Sequence, residues 1–219
     1  MTPANIVGMA ALKELGLIAV TDHNSCKNCG AVMQLAEEYG ILAIPGMELT
    51  TQEEVHVVCL FPELAAAMDF DAYVYDHLPD IPNNEKIFGK QQIMDVDENV
   101  TGTVPKLLIN ATTIGFDNVF GLVKSRGGVM IPAHLDKSTT SLISNLGFIP
   151  PDAQFVTAEV KDLSKLHELR RQHPYLEHCR IISDSDAHYL KDIQEPVNNL
   201  FLDELTATKV IEVLSERQN

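Results

Sequence analysis

The chain alternates between two hydrophobic patterns along most of its length. Apolar residues recur at helical spacing in the opening segment 2–15, where Thr2 can act as N-cap, and a short continuous apolar run follows at 17–20. Continuous runs rich in β-branched residues are typical of strands buried on both faces. The pattern therefore predicts alternating helices and strands around a mainly parallel sheet.

The same alternation continues to the end of the chain. Strands are predicted at 17–20, 41–44, 54–61, 129–131, 155–160, 180–182 and 199–202. Helices are predicted at about 2–15, 26–39, 62–77, 116–126, 163–172 and 206–214. Seven strands in this order favour an α/β barrel. Residues 1–219 are expected to form a single domain, and the weak pattern of about 79–115 indicates an insertion or lid.

Amino-acid composition narrows the classes of protein to which this chain can belong. The apolar share of 45% is that of an ordinary globular chain, and the net charge is −15 from 31 acidic and 16 basic residues. Such an acidic balance argues against duplex nucleic acid as a partner. No apolar stretch reaches the roughly 18 residues of a membrane span, and no signal peptide is recognised. We expect a cytoplasmic protein without a membrane partner.

Four cysteines are too few and too unevenly spaced for a disulfide framework, so free thiols are expected. Cys26 and Cys29 form a C-x-x-C pair, but no second pair completes a structural zinc site. The acidic run of Asp95, Asp97 and Glu98 resembles the start of a calcium loop without its glycine and distal glutamate. We interpret it as a solvated loop or hairpin.

Six residues with metal-binding side chains fall at the ends of predicted strands or, for one histidine, near a strand start. They are His23, Glu48, His56, His134, Asp186 and His188. The carboxyl ends of parallel strands meet at one face, and imidazole with carboxylate suits zinc, manganese or iron. The D-x-H spacing of Asp186 and His188 would aim both side chains to one face of a strand. The other four histidines, at 77, 167, 173 and 178, lie in polar segments and are assigned to solvent.

These residues occur in motifs that resemble a known family. The motifs are TDHNS at 21–25, GMELT at 46–50, EVHVV at 54–58, PAH at 132–134 and SDAH at 185–188. In order and spacing they are similar to those of the PHP family, named for polymerase and histidinol phosphatase, and look most like its small bacterial phosphoesterases. The resemblance extends over nearly the whole chain.

The resemblance implies a distorted seven-stranded barrel that holds up to three divalent metals, usually zinc, manganese or iron. By residue, it implies that Glu48 bridges two metals, that His56 and His134 complete one site, and that Asp186 belongs to the other. It assigns His23 and His188 to a third site. The remaining candidates are Asp22 and Asp184 as residues surrounding the ligands, His134 or His188 as catalytic groups, and Lys137 and Arg126 as phosphate contacts.

One feature departs from the family. Its members begin with a strand carrying an H-x-H motif, whereas this chain has no histidine before His23. Either the chain is truncated or its lineage has lost these ligands, and we favour truncation because the other motifs are whole. Fewer than three metals are then expected. A missing first strand would also leave a barrel edge through which copies could associate.

The expected function is hydrolysis of phosphate esters, either phosphomonoesters or nucleotide phosphates, by a metal-activated water. The expected partner is a small phosphorylated substrate or nucleotide. The alternative is a catalytically impaired module of the same fold that binds metal or acts as a scaffold. Turnover with manganese or zinc distinguishes the two.

Overall fold

A computed structural model describes residues 1–217 of the chain as a mixed α/β fold. The helices are α1 Pro3–Leu12, α2 Cys29–Glu38, α3 Leu64–His77, α4 Glu85–Phe88, α5 Phe116–Lys124, α6 Leu142–Leu146, α7 Leu166–Gln172 and α8 Ala207–Leu214. The strands are β1 Leu17–Val20, β2 Leu42–Thr50, β3 His56–Leu60, β4 Gln92–Met94, β5 Val100–Thr103, β6 Val129–Pro132, β7 Thr157–Glu159 and β8 Arg180–Ile182. No helix in this range is long and apolar enough to cross a membrane.

Four strands form the main sheet in the order β1-β2-β3-β6. β1 pairs with β2 in parallel, whereas β3 is antiparallel to both β2 and β6. The reversal at β3 follows from the short turn 51–55, in which Glu54 adopts a positive φ of 60°, because so few residues cannot make a parallel crossover. β2 is longer than predicted and carries Glu48 inside the strand.

The predicted barrel is not observed in residues 1–217. The strands instead form the four-stranded sheet, the antiparallel pair β4–β5 and the parallel pair β7–β8. The main sheet meets β7 through loop contacts, since the Leu135 amide donates to the Glu159 carbonyl oxygen at 2.8 Å. The predicted strand at 199–202 is irregular, and its Leu200 and Leu202 pack as partly buried side chains against α8 and the sheet.

Apolar side chains cover both faces of the main sheet. Met47 and Leu49 of β2 belong to the larger core, which includes Phe70 of α3. Ile44 of the same strand belongs to a smaller core that includes Leu214 of α8. Burial on both faces explains why the strands read as continuous apolar runs rather than as alternating ones. It also fixes the position of the strand ends, where the candidate ligands lie.

The weakly patterned segment contains α4 and the β4–β5 hairpin. The acidic run lies at the tip of this hairpin, where the Asp95 carboxylate accepts the Asp97 amide at 3.0 Å and the Asn99 amide at 2.8 Å. The carboxylate is therefore used in shaping the turn, as expected for a solvated hairpin.

Candidate metal centre

Glu48 lies at the centre of the candidate site, with only 6% of its surface exposed. Three imidazoles face its carboxylate. His23 Nδ1 lies 3.1 Å from Oε2, whereas His56 Nδ1 and His134 Nε2 lie 3.2 Å and 3.4 Å from Oε1. One nitrogen of His23, one of His56 and one oxygen of Glu48 all lie within 4.8 Å of one another. Four of the six residues predicted from the sequence therefore meet around one carboxylate.

The sheet brings these side chains together. His23 follows β1 and forms an isolated parallel bridge with Glu48 of β2. His56 begins β3, where it pairs with Thr50 at the end of β2. The His56 carbonyl accepts the Ala133 amide at 3.0 Å, which places the next residue, His134, beside it. Each ligand is thus positioned by backbone hydrogen bonds of neighbouring strands.

Asn24 links two segments of the chain beside the site, a role that the sequence did not reveal. It is 1% exposed and adopts a positive φ of 48°. Its Oδ1 accepts the Thr50 amide at 2.9 Å, and its Nδ2 donates to the carbonyl oxygens of Leu108 and Asn110 at 2.7 and 2.9 Å. Asn24 therefore ties the segment 108–110 to the strand end next to His23.

Glu159 is a second residue that sequence reasoning missed. It is 2% exposed, and its Oε2 accepts the backbone amide of His134 at 3.1 Å. Its own carbonyl oxygen accepts the Leu135 amide. These two bonds flank His134, whose φ of 34° is in the left-handed region that costs energy for a residue with a Cβ. The available signal was its place at the end of the predicted strand 155–160.

The groups of the site influence one another's protonation. Burial raises the pKa of Glu48, but the contacts with His134 and His56 and the charges of His56 and His23 outweigh it, so the pKa is well below its ordinary value. Burial lowers the pKa of His23, although the Glu48 carboxylate opposes this. Burial, with the nearby charge of Asp184, raises the pKa of Glu159 to about 8. Glu48 is therefore ionised and His23 is favoured in its neutral form, as metal ligands must be.

The unsatisfied atoms of the site fit a cation. Among the described residues of the site, His23 Nδ1 is buried without a hydrogen-bond partner and is close to the Glu48 carboxylate, whereas His134 faces that carboxylate through Nε2. Buried polar atoms without a partner are rare in folded proteins. A divalent cation that prefers nitrogen and oxygen ligands would satisfy this donor set.

Asp186 and His188 lie in the loop after β8 and not in a strand, so the expectation that a strand aims both side chains to one face is wrong. Asp186 has a positive φ of 47°, and its carbonyl oxygen lies 3.0 Å from His188 Nδ1. The His188 ring centroid is 5.7 Å from that of His23, which brings both residues to the mouth of the site. The Asp186 carboxylate pairs with Lys137 and lies 3.8 Å from Lys161 Nζ.

Of the two residues predicted to contact phosphate, one lies at the site and the other lies away from it. Lys137 lies at the site through its pair with Asp186. Arg126 does not, since it precedes β6 at the end opposite His134 and its Nε donates to Asp69 at 2.6 Å.

The two carboxylates expected beside the ligands are held by asparagine amides. Asp22 accepts from Asn28 Nδ2 at 3.2 Å, and Asp184 accepts from Asn198 Nδ2 at 2.8 Å.

The C-x-x-C thiols pack beneath β2. All four cysteines are free and buried. Cys26 and Cys29 each direct Sγ to the carbonyl oxygen of Gly46, at 3.2 and 3.4 Å. A Cβ at Gly46 would lie 2.5 Å from the Cys59 carbonyl oxygen, so the close strand approach requires glycine here. These residues support the strand that carries Glu48.

Comparison of the sequence with family models and with curated proteins finds no match. Solved structures share the fold. The lesion-specific endonuclease PfuEndoQ from Pyrococcus furiosus aligns with 98% of this chain at 16% identity and a TM-score of 0.64. A protein from Bifidobacterium adolescentis described as a metal-dependent phosphoesterase aligns with 97% of this chain and 90% of its own, at 18% identity and a TM-score of 0.56.

An amidohydrolase from Chromobacterium violaceum with bound sulfate and no metal is also similar, at 16% identity and a TM-score of 0.58, over 91% of this chain and 87% of its own. The chain spans about half of endonuclease Q, 51% of its length. These likenesses show a fold shared with an endonuclease, a protein described as a metal-dependent phosphoesterase and an amidohydrolase.

The prediction that excluded duplex nucleic acid is wrong. A structure of endonuclease Q in complex with a 27-mer duplex carrying an abasic lesion has this fold, with a TM-score of 0.56 and 15% identity over 98% of this chain and 51% of the other. Net charge summed over a whole chain does not describe the local surface beside a site, particularly where bound cations offset carboxylates. The acidic composition therefore gives no ground for the exclusion.

Proposed function

We propose that this chain hydrolyses phosphate esters with the aid of divalent metal ions held around Glu48. The observation that carries the proposal is the buried Glu48 carboxylate facing the ring nitrogens of His23, His56 and His134 at 3.1 to 3.4 Å. A carboxylate buried to this degree is stable only when paired or bound to a cation. The same three imidazoles and carboxylate are what zinc, manganese and iron prefer.

In the proposed site, Glu48 and His134 are buried ligands, and His23 and His56 are partly buried ones. Asp186 and His188 add a carboxylate and an imidazole at the open side, next to His23. A bound divalent ion would supply an activated water and neutralise charge on the phosphoryl oxygens. The protein itself then has to orient the ester and supply a proton to the leaving group.

Two side chains at the open side suit these tasks. The side chain of His188 is 59% exposed, so its imidazole is accessible to a leaving-group oxygen. The Lys137 ammonium, held by Asp186, is 35% exposed and can contact a phosphoryl oxygen as a point charge. His134 is buried at 1% exposure, which favours a ligand role over proton transfer to substrate.

The similar proteins support phosphate esters as the substrate class. One is an endonuclease and another is described as a metal-dependent phosphoesterase, while the amidohydrolase holds sulfate, an analogue of phosphate. We propose that the substrate is a nucleotide or nucleic-acid phosphate or a small phosphomonoester. We also propose that residues 1–219 act as one domain, with about 79–115 as an insertion next to the site.

The test is metal-dependent release of phosphate from a panel of nucleotides, sugar phosphates and short nucleic acids. The purified chain is stripped with chelator and reloaded with manganese, zinc or iron. We expect turnover that chelator abolishes and that His188→Ala lowers, whereas His167→Ala, which changes an exposed histidine on α7, has no effect. Tight metal binding without turnover of any substrate would contradict catalysis and favour the metal-binding or scaffold module.

A further inference from the structure

Left-handed backbone conformations are concentrated around the candidate metal centre. In residues 1–217, seven residues other than glycine have a positive φ, and five of them are ligands of the centre or lie in loops beside its ligands. Those five are Asn24, Glu54, His134, Thr140 and Asp186. A positive φ costs free energy in a residue with a Cβ and persists only where surrounding contacts hold the backbone in place. The fold therefore constrains the backbone most strongly around the ligands.

Thr140 is the most unusual of the five. Its φ is 58°, and a β-branched side chain disfavours this conformation more than the side chains of Asn24 and Asp186 do. The Thr140 carbonyl oxygen accepts the His56 amide at 2.8 Å. The strained residue therefore connects the loop after β6 to the first residue of β3, which is a proposed metal ligand.

The connection from β6 to α6 holds the backbone of His56 at both its amide and its carbonyl group. The Ala133 amide donates to the His56 carbonyl oxygen at 3.0 Å, and the Thr140 carbonyl oxygen accepts the His56 amide. We call residues 133–140 the His56 clamp. The next residue, Ser141, caps α6 with its side chain. The His56 clamp therefore runs between two regular elements, which fix its ends.

The turn before His56 is held by the same part of the chain. Glu54, in this turn, has a φ of 60°. Asn145 of α6 donates through Nδ2 to the carbonyl oxygens of Glu53 and Glu54 at 2.9 and 3.0 Å. The backbone before His56 and the backbone of His56 itself are therefore both constrained by contacts from outside β3.

The His56 clamp contains a second proposed ligand, His134. The ring centroids of His56 and His134 are 5.3 Å apart. His56 Nδ1 and His134 Nε2 lie 3.2 and 3.4 Å from the same oxygen of Glu48, Oε1. Metal–ligand distances vary by only about 0.2 Å around their preferred values. A cation shared by these two imidazoles therefore requires a fixed separation between them.

We propose that Thr140 is a positioning residue of the metal centre, which sets the separation of His56 and His134 through its left-handed backbone and its bond to the His56 amide. This role rests on the proposed function, because it concerns the cation held at Glu48. Thr140 acts through His56 and not on the substrate. A more flexible backbone at position 140 releases the His56 amide and allows the two imidazoles to vary in separation.

Two substitutions at Thr140 separate the cost of the conformation from its rigidity. Thr140→Asn should keep the His56 clamp, because asparagine adopts a positive φ more readily than threonine. Thr140→Gly also removes the cost of a positive φ but leaves the backbone free to change conformation. Glu14→Gly, at a φ of 55° after α1, is the matched control. In chelator, the melting temperature of each variant should be within about 2 °C of the wild type or above it.

Amide hydrogen exchange in chelator tests the His56 clamp without metal. The His56 amide should exchange about tenfold faster in Thr140→Gly than in the wild type, because the bond to residue 140 opens more often. Thr140→Asn and Glu14→Gly should exchange at the wild-type rate. An unchanged rate in Thr140→Gly would overturn the proposal.

Metal binding by the same full-length preparations tests the consequence for the centre. Zinc affinity should fall about tenfold in Thr140→Gly, as for a residue that orients a ligand, and should stay at the wild-type value in Thr140→Asn and Glu14→Gly. The visible absorption spectrum of the Co²⁺-loaded protein should change in Thr140→Gly alone, because this spectrum reports the coordination geometry.

The outcomes separate positioning from a general structural role. A melting temperature of Thr140→Gly that falls together with its zinc affinity would overturn the proposal, as would an unchanged affinity and Co²⁺ spectrum. The expected changes in zinc binding, in a protein that hydrolyses no phosphate ester, would instead refute the proposed function and leave the role of Thr140 standing.

Discussion

The proposed ligands come from two regions of different construction. At the four-stranded sheet, Glu48 lies within β2 and His134 lies two residues after β6, and they are 6% and 1% exposed. On the loop after β8, the side chains of Asp186 and His188 are 13% and 59% exposed. The β7–β8 pair that supports this loop has only three residues in each strand.

The contrast separates two requirements of a hydrolytic site. Charged ligands in an apolar interior need fixed partners, because an unpaired buried carboxylate is costly. The sheet provides this through the contacts of Glu48 with three imidazoles. Residues that meet the substrate need access to it, and the loop after β8 provides that. We therefore expect substitutions in the first region to affect metal affinity most and those in the second to affect turnover.

The largest effect is expected for Glu48→Gln. The amide keeps the size of the side chain but removes the negative charge shared by three imidazoles, so metal affinity should fall by more than about 100-fold, beyond the loss caused by a supporting residue. Isothermal titration with manganese or zinc measures this. Glu38→Gln, on the exposed end of α2, is the control. Unchanged affinity in Glu48→Gln would place the metal elsewhere.

The next comparison is His134→Ala against His188→Ala. The buried His134 should contribute more to metal affinity, with a loss of about 100-fold against about tenfold or less for the exposed His188. His188→Ala should nevertheless lower kcat, because its ring lies at the open side. Titration and steady-state kinetics on the same preparations separate the two effects. Equal losses of metal affinity in His134→Ala and His188→Ala would contradict the proposed difference between the sheet and the loop after β8.

Substitutions of apolar residues in the two regions should also differ in their effect on the free energy of unfolding. Leu49 is fully buried in β2, next to Glu48, so Leu49→Ala is expected to lower the free energy of unfolding by about 2–5 kcal/mol. Leu200→Ala, at a partly buried position in the irregular segment after β8, should cost less. Urea denaturation in chelator measures both. A larger loss for Leu200→Ala would show that the second region carries more of the stability.

The smallest effect expected is on the pH dependence of stability. The pKa of Glu159 is raised to about 8 from an ordinary value of 4.5, so the folded state binds its proton more tightly than the unfolded state. The associated stability is present below about pH 4.5 and is lost as pH rises through 8.

In chelator, the melting temperature of the wild type relative to Glu159→Gln should therefore fall by a few degrees between pH 5 and 9. Glu177→Gln, an exposed change, is the control. A constant difference across this range would mean that Glu159 titrates normally.

Several parts of the fold were predictable because they depend on local pattern. The run 17–20 and the run 180–182 are strands with the predicted bounds. The candidate ligands were visible because imidazoles and carboxylates followed such runs. Asn24 and Glu159 were not visible in the same way, since their roles depend on which backbone groups reach them across 20 or more residues.

The two strand predictions that the structure contradicts also failed for physical reasons. The D-x-H spacing implied a strand for Asp186 and His188, but the pairing of β8 with β7 ends at Ile182 and the chain then turns. The apolar run at 199–202 was interpreted as a strand, although apolar residues serve equally well as contacts of an irregular segment on α8. Strand pairing needs a partner with free hydrogen-bonding groups, which local sequence does not reveal.

The sequence by itself determined the alternation of helices and strands, the identity of the candidate ligands and the free state of the thiols. These follow from residue type and spacing. Only the tertiary structure decided that β3 runs antiparallel, that no closed barrel forms in residues 1–217, and that the loop after β6 holds the backbone of His56. Each of these depends on contacts between residues distant in the chain, whose free energy is not encoded in any single segment.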